Sequence, residues 1–316
     1  METLRFRIVQ FLAVLAVIGG VASLATLSSR GQGQSPAKTE QQNPKTESLV
    51  KPTVLKTERP AANPNAVVVS PFADAAAQNV VLRNDLAWTF GGKNQRGWYL
   101  YDLLIGQTLN VSHDAPASDL ASAISSWQKQ RGLVANGILD ETSLMALVRQ
   151  WQNDRLKDKT PPAPDQLLSA PSSDFWDPSR DEQLRQVERK TYQAYKAMVA
   201  AAIADPTLRL AHTSPTELAP QEKFFKIISS FRSREYQEQL RRNSPNAGSA
   251  GLATNSPHFS GRALDIYVGG DPVDTKDANR AIQVNTPAYK WLVKNAARFG
   301  FRPYFYEPWH WEYVGQ

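Results

Sequence analysis

Two short segments hold the side chains best suited to chemistry. One runs Ser256-Pro257-His258-Phe259-Ser260-Gly261-Arg262-Ala263-Leu264-Asp265, the other Glu307-Pro308-Trp309-His310-Trp311-Glu312-Tyr313. His258, Asp265 and His310 make a set of two nitrogens and one oxygen. Three such ligands leave a fourth position for water, the arrangement of a catalytic zinc site. Zinc lowers the pKa of that water towards about 7. Glu307, beside His310 in sequence, suits a general base that takes the proton as water attacks a carbonyl and passes it to the leaving amine. Two neutral imidazoles and one carboxylate leave a dication with net positive charge, enough to polarise an amide. Arg232 would add charge where a tetrahedral oxyanion develops. His113 and His212 lack paired acids and carry no such expectation.

These residues need elements that bring them together. His258 and Asp265 are seven apart, which on a straight helix is about 10.5 Å along the axis. Gly261 breaks such a helix, and a loop folding back beside a strand that starts near Asp265 would close the gap. Glu307 and His310 would face opposite ways in a flat strand. Pro308 between them forces irregular backbone, which can turn both inward. The surrounding pattern supplies strands over Phe224–Phe231, Ala263–Val268, Arg302–Tyr306 and Trp311–Val314. It supplies helices from Asp181 to about Ile203, over Arg234–Arg242, and from Pro287, with Thr286 as cap, to Gly300. Strands and helices mix without a βαβα rhythm, so the expected fold class is α+β.

The chain has 316 residues, a formal charge of +6 and no cysteine. The length suggests roughly two folded units. Without cysteine there is no disulfide scaffold, thiol nucleophile, thiolate zinc site or iron–sulfur cluster, so a metal would be held by His, Asp or Glu. The positive charge is spread along the chain with no dense basic patch, which argues against nucleic acid as a partner. A mild attraction to an anionic wall or membrane surface accounts for it.

Residues 8–27 are uncharged and follow Arg5 and Arg7. Twenty residues span about 30 Å as a helix, and the flanking charge places the N-terminus in the cytoplasm. Residues 1–27 therefore read as a signal anchor or signal peptide. Ser23-Leu24-Ala25 offers a cleavage site, while the length of the run favours an anchor. Residues 28–66 hold five prolines and three Lys-Thr-Glu triplets and read as a disordered linker. Residues 67–151 resume a folded pattern. Leu120, Ile124 and Trp127 share one helical face, Gly132 suits a helix C-terminus, and Asp140 caps a second helix carrying Leu144, Leu147, Val148 and Trp151. Residues 152–180, again with five prolines, read as a second linker, and 181–316 as the catalytic domain.

Two resemblances follow. The series Leu120, Ile124, Trp127-Gln128, Gly132-Leu133, Gly137, Thr142, Leu144 and Leu147 looks like the second half of a peptidoglycan-binding-type module. Trp127 stands where Phe is usual and Asn136 where Asp is usual. It implies that 67–151, a small mostly helical domain, targets the cell wall. Ser256, His258 and Asp265, followed by Glu307, Trp309 and His310, resemble the zinc peptidases of the VanY-like D-alanyl-D-alanine carboxypeptidase group, which share a fold with the hedgehog signalling domain. Phe231-Arg232-Ser233 and Gln237 match an upstream element of that family, with Phe231 in place of Tyr. The segment between Gly300 and Glu307 is shorter than in many relatives.

The resemblance implies a hedgehog/DD-peptidase-like domain holding one zinc ion on His258, Asp265 and His310. It gives Glu307 as base, Arg232 as transition-state stabiliser, and Ser256 and Gln237 as substrate contacts. The implied activity is removal of the terminal D-Ala from peptidoglycan stem peptides in the cell envelope, outside the cytoplasm, on a chain anchored through residues 8–27 if that run is retained. An endopeptidase or dipeptidase of the same fold, and an inert wall-binding protein, are the alternatives.

Overall fold

The computed structural model describes residues 71–243, 253 and 255–315; the apolar run 8–27 and the stretch 28–66 lie outside them. The first described segment is mostly helical. Helix α1 (Ala73–Asp85) leads into a hairpin of β1 (Ala87–Phe90) and β2 (Lys93–Arg96), followed by α2 (Asp102–Leu109), α3 (Ala117–Gln130) and α4 (Glu141–Asn153). The apolar faces expected of α3 and α4 are the buried ones: Ile124 and Trp127 on α3, and Leu144, Leu147, Val148 and Trp151 on α4. Asp140 caps α4 by accepting from the Ser143 N–H at 2.8 Å. Gly132 stands just past α3 with φ +68°. No helix among the described residues is long and apolar enough to cross a membrane.

The second segment is mixed. Strands β3 (Leu167–Ser169) and β4 (Gln186–Glu188) pair and lead to α5 (Arg189–Ile203). Next come β5 (His212–Ser214), β6 (Glu217–Leu218), β7 (Ile227–Ser229), α6 (Arg234–Asn243), β8 (Ala263–Ile266), α7 (Asp277–Val284), α8 (Pro287–Asn295), β9 (Phe301–Pro303) and β10 (His310–Tyr313). The main sheet has the order β7-β8-β10-β9, all antiparallel. Helices interleaved with an antiparallel sheet, without parallel βαβ units, match the α+β class expected.

Among the boundaries that differ from expectation, three have a clear local reason. The helix expected from Asp181 starts at Arg189, because residues 186–188 are claimed by pairing with β3 and Glu188 caps the helix through the Thr191 N–H at 2.7 Å. The strand expected over 224–231 shrinks to 227–229. Phe225 adopts φ +66° and the register slips between Ile227 and Ser229, so the chain joins β8 only briefly. The strand expected at 302–306 stops at Pro303, after which residues 304–307 turn towards β10.

All described residues fall in one compact unit, Asn65–Gln316. Described residues of the stretches 67–151 and 181–316, expected as separate domains, share a continuous core. Phe305 packs its ring 4.7 Å from Phe90, 5.3 Å from Tyr101 and 5.7 Å from Trp151. Arg280, buried on α7, donates to the Tyr101 hydroxyl at 3.0 Å. The stretch 152–180, expected as a linker, is packed for much of its length. Leu156, Ala170 and Phe175 are buried, and the Trp176 N–H donates to the Ile227 carbonyl at 2.9 Å. Its prolines flank β3 and stand outside that strand's ladder, where a missing N–H costs no sheet hydrogen bond.

Candidate metal and catalytic site

Antiparallel register does the first part of the assembly. His310 lies directly opposite Asp265 across the β10–β8 pair, so their side chains share one face of the sheet. Leu264 and Ile266 point the other way into the core, and Trp311 does the same from β10. His258 arrives from a short 3₁₀ turn, Pro257–Ser260, that Gly261 reverses into β8. Gly261 adopts φ +68°, and a Cβ there would sit 3.0 Å from the backbone nitrogen of Glu188. Only glycine fits that close, left-handed corner. The loop folding back beside the strand is thus the one anticipated from the spacing.

His258 Nε2 lies 3.3 Å from Asp265 Oδ1, and His310 Nδ1 lies 2.9 Å from the same oxygen. One ligand atom from each of the three residues falls within 4.8 Å of the others, and all three residues are buried. Ligands around a tetrahedral zinc ion with bonds of about 2.1 Å stand roughly 3.4 Å apart, so the spacing suits such an ion. The outer nitrogens are already committed. His258 Nδ1 donates to the Ser230 carbonyl at 2.7 Å, and His310 Nε2 donates to Glu312 Oε1 at 3.1 Å. Each imidazole is held by one nitrogen and presents the other inward, as metal-ligating histidines do. The donor set and its orientation fit a divalent cation that takes nitrogen and oxygen ligands.

The electrostatics follow from burial and pairing. Burial, helped by Arg232, pushes His258 down to about 4, so it is neutral at pH 7. Burial would also lower His310, but its bonds to Asp265 and Glu312 win and raise it to about 9. Burial would raise Asp265; His258, His310 and Arg232 outweigh that and hold it well below the usual carboxylate range. Glu307 is the contrast. Burial dominates there and pushes it up to about 7. One of its oxygens lies 4.0 Å from His310 Nδ1. A tight turn sets it there, with the His310 N–H donating to the Glu307 carbonyl at 2.9 Å. Pro308 produces the irregular backbone that lets both side chains face one site.

Arg232 reaches the same cluster. Its guanidinium donates to Asp265 Oδ2 at 2.7 Å, to the Ser229 hydroxyl at 3.0 Å and to Gln237 Oε1 at 3.4 Å. Gln237 is buried on α6 and donates onward to the Ala253 carbonyl at 3.2 Å. Ser256 is buried too; its hydroxyl accepts from the His258 N–H at 3.3 Å and so caps the 3₁₀ turn. His113 and His212 stand apart. His113 is exposed, and His212 sits on β5 with Nδ1 against the Leu210 carbonyl.

Two residues that sequence reasoning did not single out belong to the cluster. Glu312, fully buried, bonds His310 and is in turn bonded by Arg155 and by the Leu156 N–H at 2.9 Å. His310 and Arg155 outweigh the effect of burial and hold Glu312 down to about 2. Glu312 had a signal available: two residues beyond His310 on a strand is the same face. Arg155 had none, since nothing local ties it to a strand 157 positions away.

Residues 185–316 match the family described as VanY, D-alanyl-D-alanine carboxypeptidase. This is 132 of the 316 residues, and it includes every residue of the cluster except Arg155 and Leu156. The resemblance expected over roughly 181–316 is therefore shown for that stretch. The match does not reach residues 67–151. Among solved structures the chain is similar to "VanYB in complex with D-Alanine-D-Alanine", at 21% identity over 41% of this chain and 72% of that one, with a TM-score of 0.26. No curated protein matches.

Proposed function

We propose that the chain is a zinc-dependent D-alanyl-D-alanine carboxypeptidase that trims peptidoglycan stem peptides. The observation that carries the reading is the convergence of His258, Asp265 and His310 on one point beside a desolvated Glu307, inside the stretch that matches the VanY family. The three ligand residues would hold one zinc ion, which when bound supplies a Lewis acid and lowers the pKa of water towards about 7.

The remaining work falls to protein side chains. Glu307, with its carboxyl raised to about 7, is matched to accept a proton from water near neutrality and to return it to the departing amine nitrogen. Arg232 keeps its guanidinium fixed on Asp265, Ser229 and Gln237. An arginine so fixed can stabilise the oxyanion without reorganising as charge develops. Gln237 spends its amide on Arg232 and Ala253, so its effect on substrate runs through Arg232. Ser256 keeps its own hydroxyl hydrogen after capping the His258 turn, and that hydrogen is the group it offers a substrate. Residues 67–151 serve as the wall-facing part, and the apolar run 8–27, if retained and not cleaved as a signal peptide, ties the chain to the outer side of the cytoplasmic membrane.

Mass analysis of stem-pentapeptide digests, with and without a chelator, tests this reading. The expected result is loss of one terminal D-Ala, stopped by chelator and restored by zinc. Cleavage inside the stem would move the assignment to an endopeptidase. Bound zinc with no cleavage would make the chain an inert wall-binding protein.

A further inference from the structure

Arg155 lies two residues beyond α4, at the start of the stretch that reads as a linker. Its position is unusual for a linker residue. Through Nε, at 3.1 Å, and through a terminal nitrogen, it donates to Glu312 Oε1. That same oxygen accepts from His310 Nε2 at 3.1 Å. The neighbouring Leu156 N–H takes the other carboxylate oxygen, and Gln152 on α4 accepts from Arg155 Nη1 at 2.9 Å. The guanidinium carbon also lies 3.9 Å from the centre of the Tyr304 ring, and Tyr304 meets the His310 ring edge-on at 5.9 Å. Arg155 thus touches two neighbours of His310, the carboxylate on its outer nitrogen and the Tyr304 ring.

We propose that Arg155 is a positioning residue for His310, acting through Glu312, so that the end of the N-terminal helical segment orients a ligand of the metal site. The inference rests on the reading of His310 as a ligand. His310 can turn Nδ1 inward only while Nε2 keeps its hydrogen on an acceptor, and Glu312 is that acceptor. Glu312 is fully buried, and a buried carboxylate holds its place only while its charge is matched. Arg155 supplies the match. Without it, Glu312 keeps its bonds to His310 and to the Leu156 N–H but loses its guanidinium partner, and Arg232, bonded to Asp265, does not replace it. Glu312 is then free to seek water, and the imidazole loses its fixed orientation. Such outer partners shift metal affinity as well as turnover.

The test is zinc affinity of the full chain by competition with a chromophoric chelator, read beside D-Ala release. Arg155→Ala is expected to raise the zinc Kd about 10- to 100-fold, and Glu312→Gln about tenfold. Arg155→Lys is expected to recover part of the loss. In the Glu312→Gln background, Arg155→Ala should change the Kd by less than about threefold, because its route is already cut. Arg83→Ala removes an ion pair with Asp102 elsewhere in the unit and is expected to leave zinc affinity unchanged. A folded Arg155→Ala protein within about threefold of the wild type overturns the proposal, as does a full additive loss on top of Glu312→Gln. Where Arg155→Ala gives no folded protein, Glu312→Gln decides, and a wild-type Kd there overturns it. Failure of the underlying ligand reading has a separate signature: His310→Ala binds zinc like the wild type, or the wild type binds none.

Discussion

Both halves of the described chain bury polar side chains, but they use them differently. In the N-terminal segment, Asn79 bonds the Gly137 carbonyl and the Leu139 N–H, each at 2.8 Å. Gln128, the glutamine of the peptidoglycan-binding-like series, bonds the Gly137 N–H and the Ile138 carbonyl at 2.9 Å and the Ser143 hydroxyl at 2.9 Å. These groups are consumed by loop backbone and by the Ser143 hydroxyl at the start of α4. They pin the turn between α3 and α4. In the C-terminal sheet, backbone and outer carboxylates take only the outer nitrogens of His258 and His310, and the inner ones converge on Asp265. Burial by itself marks neither structure nor function. What separates them is whether potential ligand atoms from separate residues converge on one point.

Breaking the C-terminal arrangement should therefore cost chemistry, and breaking the N-terminal one should cost stability. The largest effect is expected from Glu307→Gln, with turnover down about 10³-fold and zinc retained, read by steady-state assay and metal analysis. Near-normal turnover would remove Glu307 from its role. Arg232→Ala should lower kcat about 10²-fold with the fold intact by circular dichroism. Unchanged kcat would make Arg232 only a counter-charge to Asp265.

Removing residues 71–151 asks whether the two halves are separable. It would bare one side of Phe305 and leave Arg280 without Tyr101, and exposing a buried aromatic side chain costs up to about 1.5–3 kcal/mol. The truncated chain should lose hydrolysis of even a small soluble peptide. Full activity towards that peptide would restore the picture of a detachable targeting domain.

The pH dependence of Glu307 is a smaller effect with a definite sign. Its folded carboxyl titrates near 7 against an ordinary 4.5, so the folded state holds the proton more tightly than the unfolded state. Wild-type stability is therefore undiminished below about 4.5 and falls as pH rises through 7. Glu307→Gln lacks this loss. In metal-free protein its advantage over the wild type should grow by up to about 3 kcal/mol between pH 4 and pH 8, read from urea midpoints. A constant difference across that range would mean that Glu307 is not desolvated. The smallest effect is Gln128→Ala, which should cost about 1–3 kcal/mol and leave kcat unchanged.

The site was legible in the sequence where chemistry is local. His258, Asp265, Glu307 and His310 carry their types and spacing on their face, and Gly261 and Pro308 announce the backbone irregularities that turn them inward. The helical faces of α3 and α4 and the caps Asp140 and Thr286 were equally readable, since one turn of helix contains the whole signal. What was not legible is long-range. The pairing of His310 with Asp265 is a matter of strand register. The start of α5 depended on β3, twenty residues earlier, claiming residues 186–188. The burial of Phe175 and Ala170 in a proline-rich stretch depended on surfaces that composition does not encode. Arg155 belongs with these, because only the folded chain brings it to Glu312.

The central claim is that His258, Asp265 and His310 hold one divalent cation. An anomalous difference map at the zinc edge, from crystals of the zinc-loaded protein, tests it most directly. The account predicts one peak about 2.0–2.2 Å from His258 Nε2, an Asp265 carboxylate oxygen and His310 Nδ1. A map with no peak there, or with the ion on other side chains, would contradict it.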